Sequence, residues 1–177
     1  GFLYRTESDL YSYYGDLGWY GAKTQVIARF FGGSEKTGMG WDGVDYNTAY
    51  GINGADRRYN PAGEYTTTAM DGSDSIAYYP NQTDNYAQQH AQLSLIHRLS
   101  TRWTLSATAH YTHGAGYYEQ YKRKKLSYWG LPYSHKAYGM YRKQLDNHFF
   151  GGVVSAKYIS EPIDIQFGGA AKYYLGD

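Results

Sequence analysis

The sequence predicts an all-β chain that forms a fragment of an antiparallel transmembrane β-barrel, with about six strands in three hairpins and long extracellular loops. Two observations support this fold class. Apolar and polar side chains alternate in segments of roughly ten to sixteen residues, as they do in strands with one apolar and one polar face. The connections between these segments are short and long in turn, and outer-membrane barrels have short periplasmic turns and long extracellular loops.

The predicted strands form hairpins with their neighbours along the chain. The clearest alternation lies in residues 102–112, where odd positions hold Trp, Leu, Ala, Ala and Tyr and even positions hold Arg, Thr, Ser, Thr, His and Thr. Only a short turn separates this segment from an alternating segment before it, which favours a hairpin. The predicted strands cover about residues 10–19, 23–33, 85–99, 102–112, 145–158 and 163–174, and the long loops cover about 34–83 and 113–143.

Charged residues and prolines agree with this assignment. When the more apolar parity of each strand is assigned to lipid, the charged side chains fall on the opposite face, where an arginine or lysine avoids a cost of roughly 2 to 4 kcal/mol at the bilayer midplane. These side chains are Asp16, Lys23, Arg29, Arg98, Arg102, Lys157, Asp164 and Lys172. Proline removes a hydrogen bond from a paired strand. All four prolines, Pro61, Pro80, Pro132 and Pro162, lie in predicted loops or turns.

Composition narrows the function classes. Aromatic residues make up 19% of the chain and 23 residues are tyrosine, a side chain that suits both the lipid headgroup level and a wet ligand-facing loop. No window contains the apolar run of a transmembrane helix. A net charge of +1 gives no reason to expect nucleic acid as a partner, and the absence of cysteine excludes a thiolate metal site.

The sequence contains no pattern typical of an active site. It has no paired nucleophile and base, no pair of carboxylates in a plausible cleft and no phosphate-binding glycine loop. We therefore expect no catalytic residues, no enzymatic activity and no cofactor. Six strands are also fewer than the eight of the smallest known outer-membrane barrels, and an open sheet edge cannot face hydrocarbon. The whole of residues 1–177 is accordingly expected to be an internal part of one larger barrel domain.

Six stretches that span most of the chain carry a more specific signal than the alternation. They are Arg29 to Thr37, Trp41 to Val44, Tyr59 to Tyr65, Asp84 to Tyr86, His110 to Glu119 and Leu145 to Gly152. Together they resemble the mid-barrel region of TonB-dependent outer-membrane receptors. The run Gly38-Met39-Gly40 departs from the more aromatic run that the family shows before a tryptophan such as Trp41.

The resemblance implies a 22-stranded barrel with an internal plug, located in the outer membrane of a Gram-negative bacterium. Such receptors import a scarce nutrient of the ferric siderophore, haem or cobalamin class with energy supplied through TonB. The implied partners are outer-membrane lipid and lipopolysaccharide, a small nutrient ligand, and TonB through an N-terminal region outside this sequence.

The resemblance also implies that loop aromatics and cations capture the ligand, because aromatic faces stack on planar ligands and arginine pairs with carboxylates. The alternative is that these tyrosines pack the loops against one another. The candidate ligand-binding residues are Tyr46, Arg57, Arg58, Tyr59, Tyr65, Tyr117, Tyr118, Trp129 and Tyr133.

Two further groups have competing interpretations. The basic run Lys122, Arg123, Lys124 and Lys125 could contact lipopolysaccharide phosphates or form a solvated loop. His90, His110 and His113 invite a haem or metal interpretation, but a metal site needs three or four converging ligands. Since imidazoles on a polar barrel wall more often only form hydrogen bonds, we expect no metal site.

Two other functions remain open at this level. A passive outer-membrane channel without a plug would share the strand pattern but would need no capture loops. A soluble carbohydrate-binding β-domain would have to bury its apolar faces against each other as a sandwich, with connections of similar length at both ends.

Overall fold

The computed structural model describes residues 2–176 and has an all-β architecture. A six-stranded sheet has the strand order β1-β2-β5-β6-β7-β8, and a separate two-stranded sheet has the order β3-β4. The strands are β1 (Ser8–Tyr20), β2 (Thr24–Gly38), β3 (Glu64–Thr68), β4 (Asp74–Tyr78), β5 (Thr83–Arg98), β6 (Trp103–Lys125), β7 (Lys136–Ser160) and β8 (Ile163–Gly176).

The three predicted hairpins are confirmed. β1 and β2, β5 and β6, and β7 and β8 are neighbours in the sheet, and each pair is joined by a short turn at 21–23, 99–102 or 161–162. β7 and β8 pair antiparallel from Asn147↔Gly176 to Ser160↔Ile163. The prolines lie outside all strands, as predicted. No helix among residues 2–176 is long and apolar enough to cross a membrane.

Strands β6 and β7 are longer than predicted, so the expected loop over 113–143 is wrong for most of its length. β6 continues to Lys125 and β7 begins at Lys136, which leaves a connection of residues 126–135 with a 3-10 turn at Leu126–Trp129. The tyrosine content of this region had indicated a loop, but tyrosine is also among the residues most favoured in strands.

The first long loop, predicted over 34–83, contains structure of its own. β2 extends to Gly38, and a short helix, α1 (Tyr46–Tyr50), precedes the β3-β4 hairpin. Asp45 caps α1 by accepting hydrogen bonds from the Asn47 and Thr48 amides at 2.9 and 3.2 Å. Gly51 ends the helix with a φ of 68°, a left-handed conformation that glycine adopts without steric cost.

The described residues form two compact units. The loop unit comprises residues 2–10, 35–85 and 116–144, and the sheet unit comprises residues 11–34, 86–115 and 145–176. The domain prediction had assigned the whole chain to one barrel domain. In the part of the chain that the structure describes the sheet is open, with β1 and β8 as its edge strands, and the strands do not close into a barrel.

The sheet unit has one polar face, and hydrogen bonds between neighbouring strands connect it. Ser94 bonds Thr108 at 3.1 Å, and Ser106 bonds Ser155 at 2.7 Å. The face continues across β7 and β8, where a salt bridge of 3.0 Å joins Lys157 and Asp164. These residues all have the parity that the sequence assigned to the polar face.

The opposite face of the sheet unit is apolar. The Trp103 ring lies 5.0 Å from Tyr158 and 6.1 Å from Phe167, centroid to centroid. No other element among residues 2–176 covers this face: Leu17 is 77% exposed and Phe167 is 58% exposed. Other exposed apolar side chains on it are Trp19, Phe30, Leu93, Leu95, Leu105, Phe150, Val154, Ile165 and Tyr173.

Candidate functional site

The loop unit has a buried carboxylate near the end of β6. Glu119 is only 1% exposed. It accepts hydrogen bonds from the Tyr79 hydroxyl and, at 2.7 Å, from the Asn81 amide. The Arg142 guanidinium binds its other oxygen with two N–H groups at 3.0 and 2.6 Å and also lies 4.0 Å from the centre of the Tyr117 ring. One side chain thus ties the segment after β4 to β6 and β7.

The electrostatics of this group follow from these contacts. The hydrogen bond from Tyr79, together with those from Arg142 and Asn81, lowers the pKa of Glu119 although burial opposes the shift. The same contact raises the pKa of Tyr79, and the carboxylate raises the pKa of Arg142. Glu119 therefore stays ionised, and its chemistry is that of a fixed acceptor rather than a proton carrier.

A second buried polar group joins the N-terminal segment to the first long connection. Asn60 donates to the backbone oxygens of Tyr4 and Met39, both at 2.8 Å, and accepts from the Ala62 amide at 3.0 Å. Arg5 donates to the Asn60 backbone oxygen, and its guanidinium lies 3.6 Å from the centre of the Tyr78 ring. Since every polar atom of the Asn60 side chain is used, this contact fixes the start of the chain against the loop.

A cleft of 540 Å³ opens next to this group. Its wall contains the charged residues Arg5, Glu7, Asp9 and Lys36 and the rings of Tyr78 and Tyr79, together with Ser8, Gly38, Met39, Ala62, Pro80, Gln82 and Thr83. Two buried donors in its lining residues, Arg5 Nε and Gln82 Nε2, have no hydrogen-bond partner within the described residues. A buried donor without an acceptor costs about 1 to 3 kcal/mol, so these two residues carry an unsatisfied polar group beside the cleft.

Of the predicted ligand-binding residues, none lines this cleft, and those of the first long connection are dispersed. Tyr46 is exposed on α1, and its ring centre lies 4.5 Å from that of Tyr50, with the two ring planes tilted by 37°. Arg57 lies 5.9 Å from the Phe2 ring. Arg58 lies 4.6 Å from the Tyr4 ring and also donates to the Phe2 backbone oxygen at 3.0 Å. Both arginines are therefore engaged by the N-terminal segment.

Tyr59 and Tyr65 pack within the loop unit. The Tyr59 hydroxyl donates to Glu64, and this hydrogen bond is the main reason that the pKa of Tyr59 rises to about 12. The Tyr65 ring lies 5.1 Å from Tyr121 and 6.3 Å from Tyr138. These contacts favour the alternative in which loop tyrosines pack against each other.

The remaining predicted residues lie around β6 and the connection after it. Tyr117 faces Arg142, and Tyr118 lies 5.8 Å from Trp41. The Trp129 ring lies against Gly139, where an added Cβ would come within 2.7 Å of it. Tyr133 is exposed. Only Tyr133 and Tyr46 thus have both an exposed ring and a position in a connection.

The basic run lies at the end of β6 and is split by the strand alternation. Lys122 forms a salt bridge of 3.2 Å with Asp42, and Lys124 lies 5.2 Å from the Tyr128 ring centre. Arg123 and Lys125 are exposed. Successive side chains point to opposite sides of a strand, so Arg123 and Lys125 share the more exposed side and Lys122 and Lys124 the half-buried side. Their contact with lipopolysaccharide stays a prediction.

The histidines that the sequence singled out do not come together. His90 bonds Thr112 at 2.8 Å and Gln88 at 3.2 Å, and the His110 ring lies 5.1 Å from Phe149. His113 instead lies beside Asp146 and His148, residues that the sequence interpretation did not consider. The i, i+2 spacing of Asp146 and His148 on one strand was a signal that could have indicated them.

The cleft residues were also missed by sequence reasoning. Arg5 and Lys36 lie close to strand ends, and Gln82 lies beside a proline-containing turn, so no periodicity or motif marks them. No protein-family model matches the chain, and searches of curated proteins and of solved structures gave no match. The resemblance to TonB-dependent receptors therefore stays a prediction.

Proposed function

We propose that this chain is part of an outer-membrane TonB-dependent receptor that imports a scarce nutrient of the ferric siderophore, haem or cobalamin class. The observation that carries the proposal is the uncovered apolar face of the sheet unit. If this face were in water, the protein would forgo about 25 cal/mol of stabilising free energy for each Å² of apolar surface left unburied. A bilayer removes that loss, and the polar face opposite would then line the interior of a barrel.

The open edges require further strands in this proposal. Every backbone N–H or C=O group that β1 and β8 leave unpaired at the sheet edges would cost several kcal/mol in hydrocarbon. Neighbouring strands from the rest of a larger barrel would pair them. The long connections would then face the cell exterior, as the alternation of short and long connections predicts.

The cleft of the loop unit favours a receptor over a passive channel. It combines two cations, two carboxylates and two tyrosine rings in a concave site of 540 Å³, and a small nutrient ligand could be held there by polar and stacking contacts. We assign nutrient capture to this cleft rather than to the dispersed tyrosines and arginines of the first long connection. The soluble sandwich is disfavoured because nothing among residues 2–176 packs on the apolar face.

The proposal is tested by uptake in the bacterium that carries the full gene. Deletion of the gene should abolish growth on one limiting source among ferric siderophores, haem and cobalamin, and a strain that lacks TonB should show the same defect. Uptake that rises linearly with solute concentration and persists without TonB would support the passive channel instead.

Matched variants of the full-length protein locate the capture site. Lys36→Gln removes a cation from the cleft, whereas Lys143→Gln removes an exposed cation elsewhere in the loop unit. We expect Lys36→Gln to raise the nutrient concentration for half-maximal uptake by about tenfold, which corresponds to the loss of roughly 1.4 kcal/mol, and Lys143→Gln to leave it unchanged. Equal behaviour of the two variants would remove the cleft from the proposal.

A further inference from the structure

Three side chains that can bind a metal ion converge in the sheet unit. His113 lies on β6, and Asp146 and His148 lie on the neighbouring strand β7. The last two are separated by one residue, so they share a face of their strand. One potential ligand atom from each of the three lies within 4.8 Å of the other two. No other such group is found among residues 2–176.

The donor set selects the class of ion. Two imidazoles and one carboxylate suit Zn²⁺ and its first-row neighbours, which accept nitrogen and oxygen ligands together. Calcium and magnesium instead take oxygen ligands almost exclusively. Three protein ligands would leave at least one coordination position open for water or another molecule.

The distances are close to those that a bound ion needs. His113 Nε2 lies 2.8 Å from Asp146 Oδ1, and His148 Nε2 lies 3.5 Å from the same oxygen. Ligands bound at about 2.0 to 2.1 Å in tetrahedral geometry are about 3.3 Å apart. The imidazole rings are stacked with centroids 4.6 Å apart. The two distances from Asp146 therefore bracket the ligand spacing of a tetrahedral site.

A fourth residue orients one of the ligands. The Tyr111 hydroxyl and His148 Nδ1 form a hydrogen bond of 2.8 Å. With its proton on Nδ1, His148 presents the lone pair of Nε2 toward Asp146 and His113. Metal-binding histidines commonly have such a partner on the second ring nitrogen, and it fixes both the tautomer and the ring orientation. Tyr111 is thus a positioning residue.

We propose that His113, Asp146 and His148 form a binding site for a divalent transition-metal ion of the Zn²⁺ class, which joins β6 to β7. The site shares no side chain with the nutrient-capture cleft. Its ligands lie on the apolar face of the sheet unit, because the His148 ring is stacked near the Phe150 ring, with centroids 6.5 Å apart, and His113 has the same strand parity as Leu105. In the metal-free state the hydrogen bond between His113 and Asp146 holds the ligands together.

The test is Zn²⁺ binding by the full-length protein in detergent micelles, freed of metal by a chelator and titrated in competition with a chromophoric indicator. We expect His148→Gln to lower the number of tightly bound Zn²⁺ ions by one per chain. Tyr111→Phe should keep the ion but weaken its binding by about 10- to 100-fold. His110→Gln is the matched control, because it removes a histidine from the same strand as His113 outside the group, and it should bind as the parent does.

Two results would overturn the proposal. One is an identical Zn²⁺ isotherm for the parent and His148→Gln, and the other is an equal loss in His110→Gln, which would indicate adventitious binding to histidines. Asp146→Asn provides the same comparison with an isosteric change if His148→Gln does not fold. Visible absorption of the Co²⁺-loaded protein is an independent measurement. The parent should show the spectrum of a tetrahedral Co²⁺ site, and Asp146→Asn should not.

Discussion

The loop unit and the sheet unit differ in the polar side chains that they bury. Among residues 2–176, the five buried polar residues all belong to the loop unit, which also buries Met39 and Ala62. These five are Asn60, Gln82, Thr83, Glu119 and Gln120. In the described part of the sheet unit Ala156 is the one buried hydrophobic side chain, while large apolar side chains such as Leu17 and Phe167 are exposed. Hydrogen bonds to buried polar side chains stabilise the loop unit. The sheet unit, in contrast, has large apolar side chains that no other described residue covers.

Under the proposed function, this difference corresponds to two solvents, water for the loop unit and lipid for the apolar face of the sheet unit. Polar groups can be buried at low cost when each finds a partner, as Glu119 and Asn60 do, and the result is a rigid unit suited to water. Apolar groups left in water forgo the stabilisation that their burial would give. The account therefore predicts that a charge is tolerated on the polar face of the sheet unit and not on the part of the apolar face that lipid would cover, and that the loop unit depends on its buried acceptors.

The largest effect is expected when a charge is placed on the apolar face. Leu105→Arg should reduce the free energy of unfolding of the full-length protein in lipid bilayers by about 2 to 4 kcal/mol, because arginine is costly at the lipid face of a barrel. The measurement is reversible denaturant unfolding from liposomes. Ser106→Arg, next along the strand and on the polar face, is the control and should cost less than half as much.

A smaller effect is expected when the buried acceptor of the loop unit is removed. Glu119→Ala leaves the Tyr79, Asn81 and Arg142 donors without their acceptor and should destabilise the loop unit locally by about 2 kcal/mol. Hydrogen exchange of backbone amides near these residues measures the loss. Glu35→Ala removes an exposed carboxylate from the same unit and should have no comparable effect; unchanged exchange in Glu119→Ala would contradict the role assigned to Glu119.

The pH dependence of the same group sharpens this result. Because the folded-state pKa of Glu119 is lowered, its contribution is complete above the ordinary value of 4.5 and is lost as the pH falls through the lower folded-state pKa. Protection of the loop-unit amides should therefore fall as the pH drops below 4.5. In Glu119→Gln this part of the acid dependence should disappear, whereas an identical acid profile in parent and variant would argue against it.

The smallest effect is expected at Tyr59. Tyr59→Phe removes the hydrogen bond to Glu64 and should lower local stability by about 1 kcal/mol. The folded-state pKa of Tyr59 is raised to about 12, so this contribution is present below the ordinary value of 10.0 and is lost as the pH rises toward 12. NMR titration of ring-labelled tyrosine should show one resonance with a pKa near 12 that is missing in Tyr59→Phe. A pKa near 10.0 for that resonance would contradict the assignment.

The alternation of side chains was sufficient to predict the sheet unit. Period-2 alternation fixes which residues share a face, so Ser106 with Ser155 and Trp103 with Tyr158 lie together as the pattern indicates. The short connections between successive strands were sufficient to predict the three hairpins. The ends of β6 and β7 were missed because the same tyrosines and histidines occur in strands and in aromatic loops.

The loop unit could not be predicted in the same way. Its contacts join residues far apart in the chain, such as Arg5 with Asn60 and Tyr79 with Glu119, and no local period specifies them. The group of His113, Asp146 and His148 could be predicted from the sequence only in part. The spacing of Asp146 and His148 is local and visible, but the approach of His113 depends on the pairing of β6 with β7.

The most direct test of the account is the environment of two successive residues on β6 in the full-length protein in liposomes. The chain contains no cysteine of its own, so a spin label can be attached at a single cysteine introduced within it. The account predicts that a label at Leu105→Cys contacts lipid, with relaxation enhanced by oxygen and not by a water-soluble nickel chelate, and that a label at Ser106→Cys does not. Lipid contact at 106 with water contact at 105, or water contact at both, would contradict it.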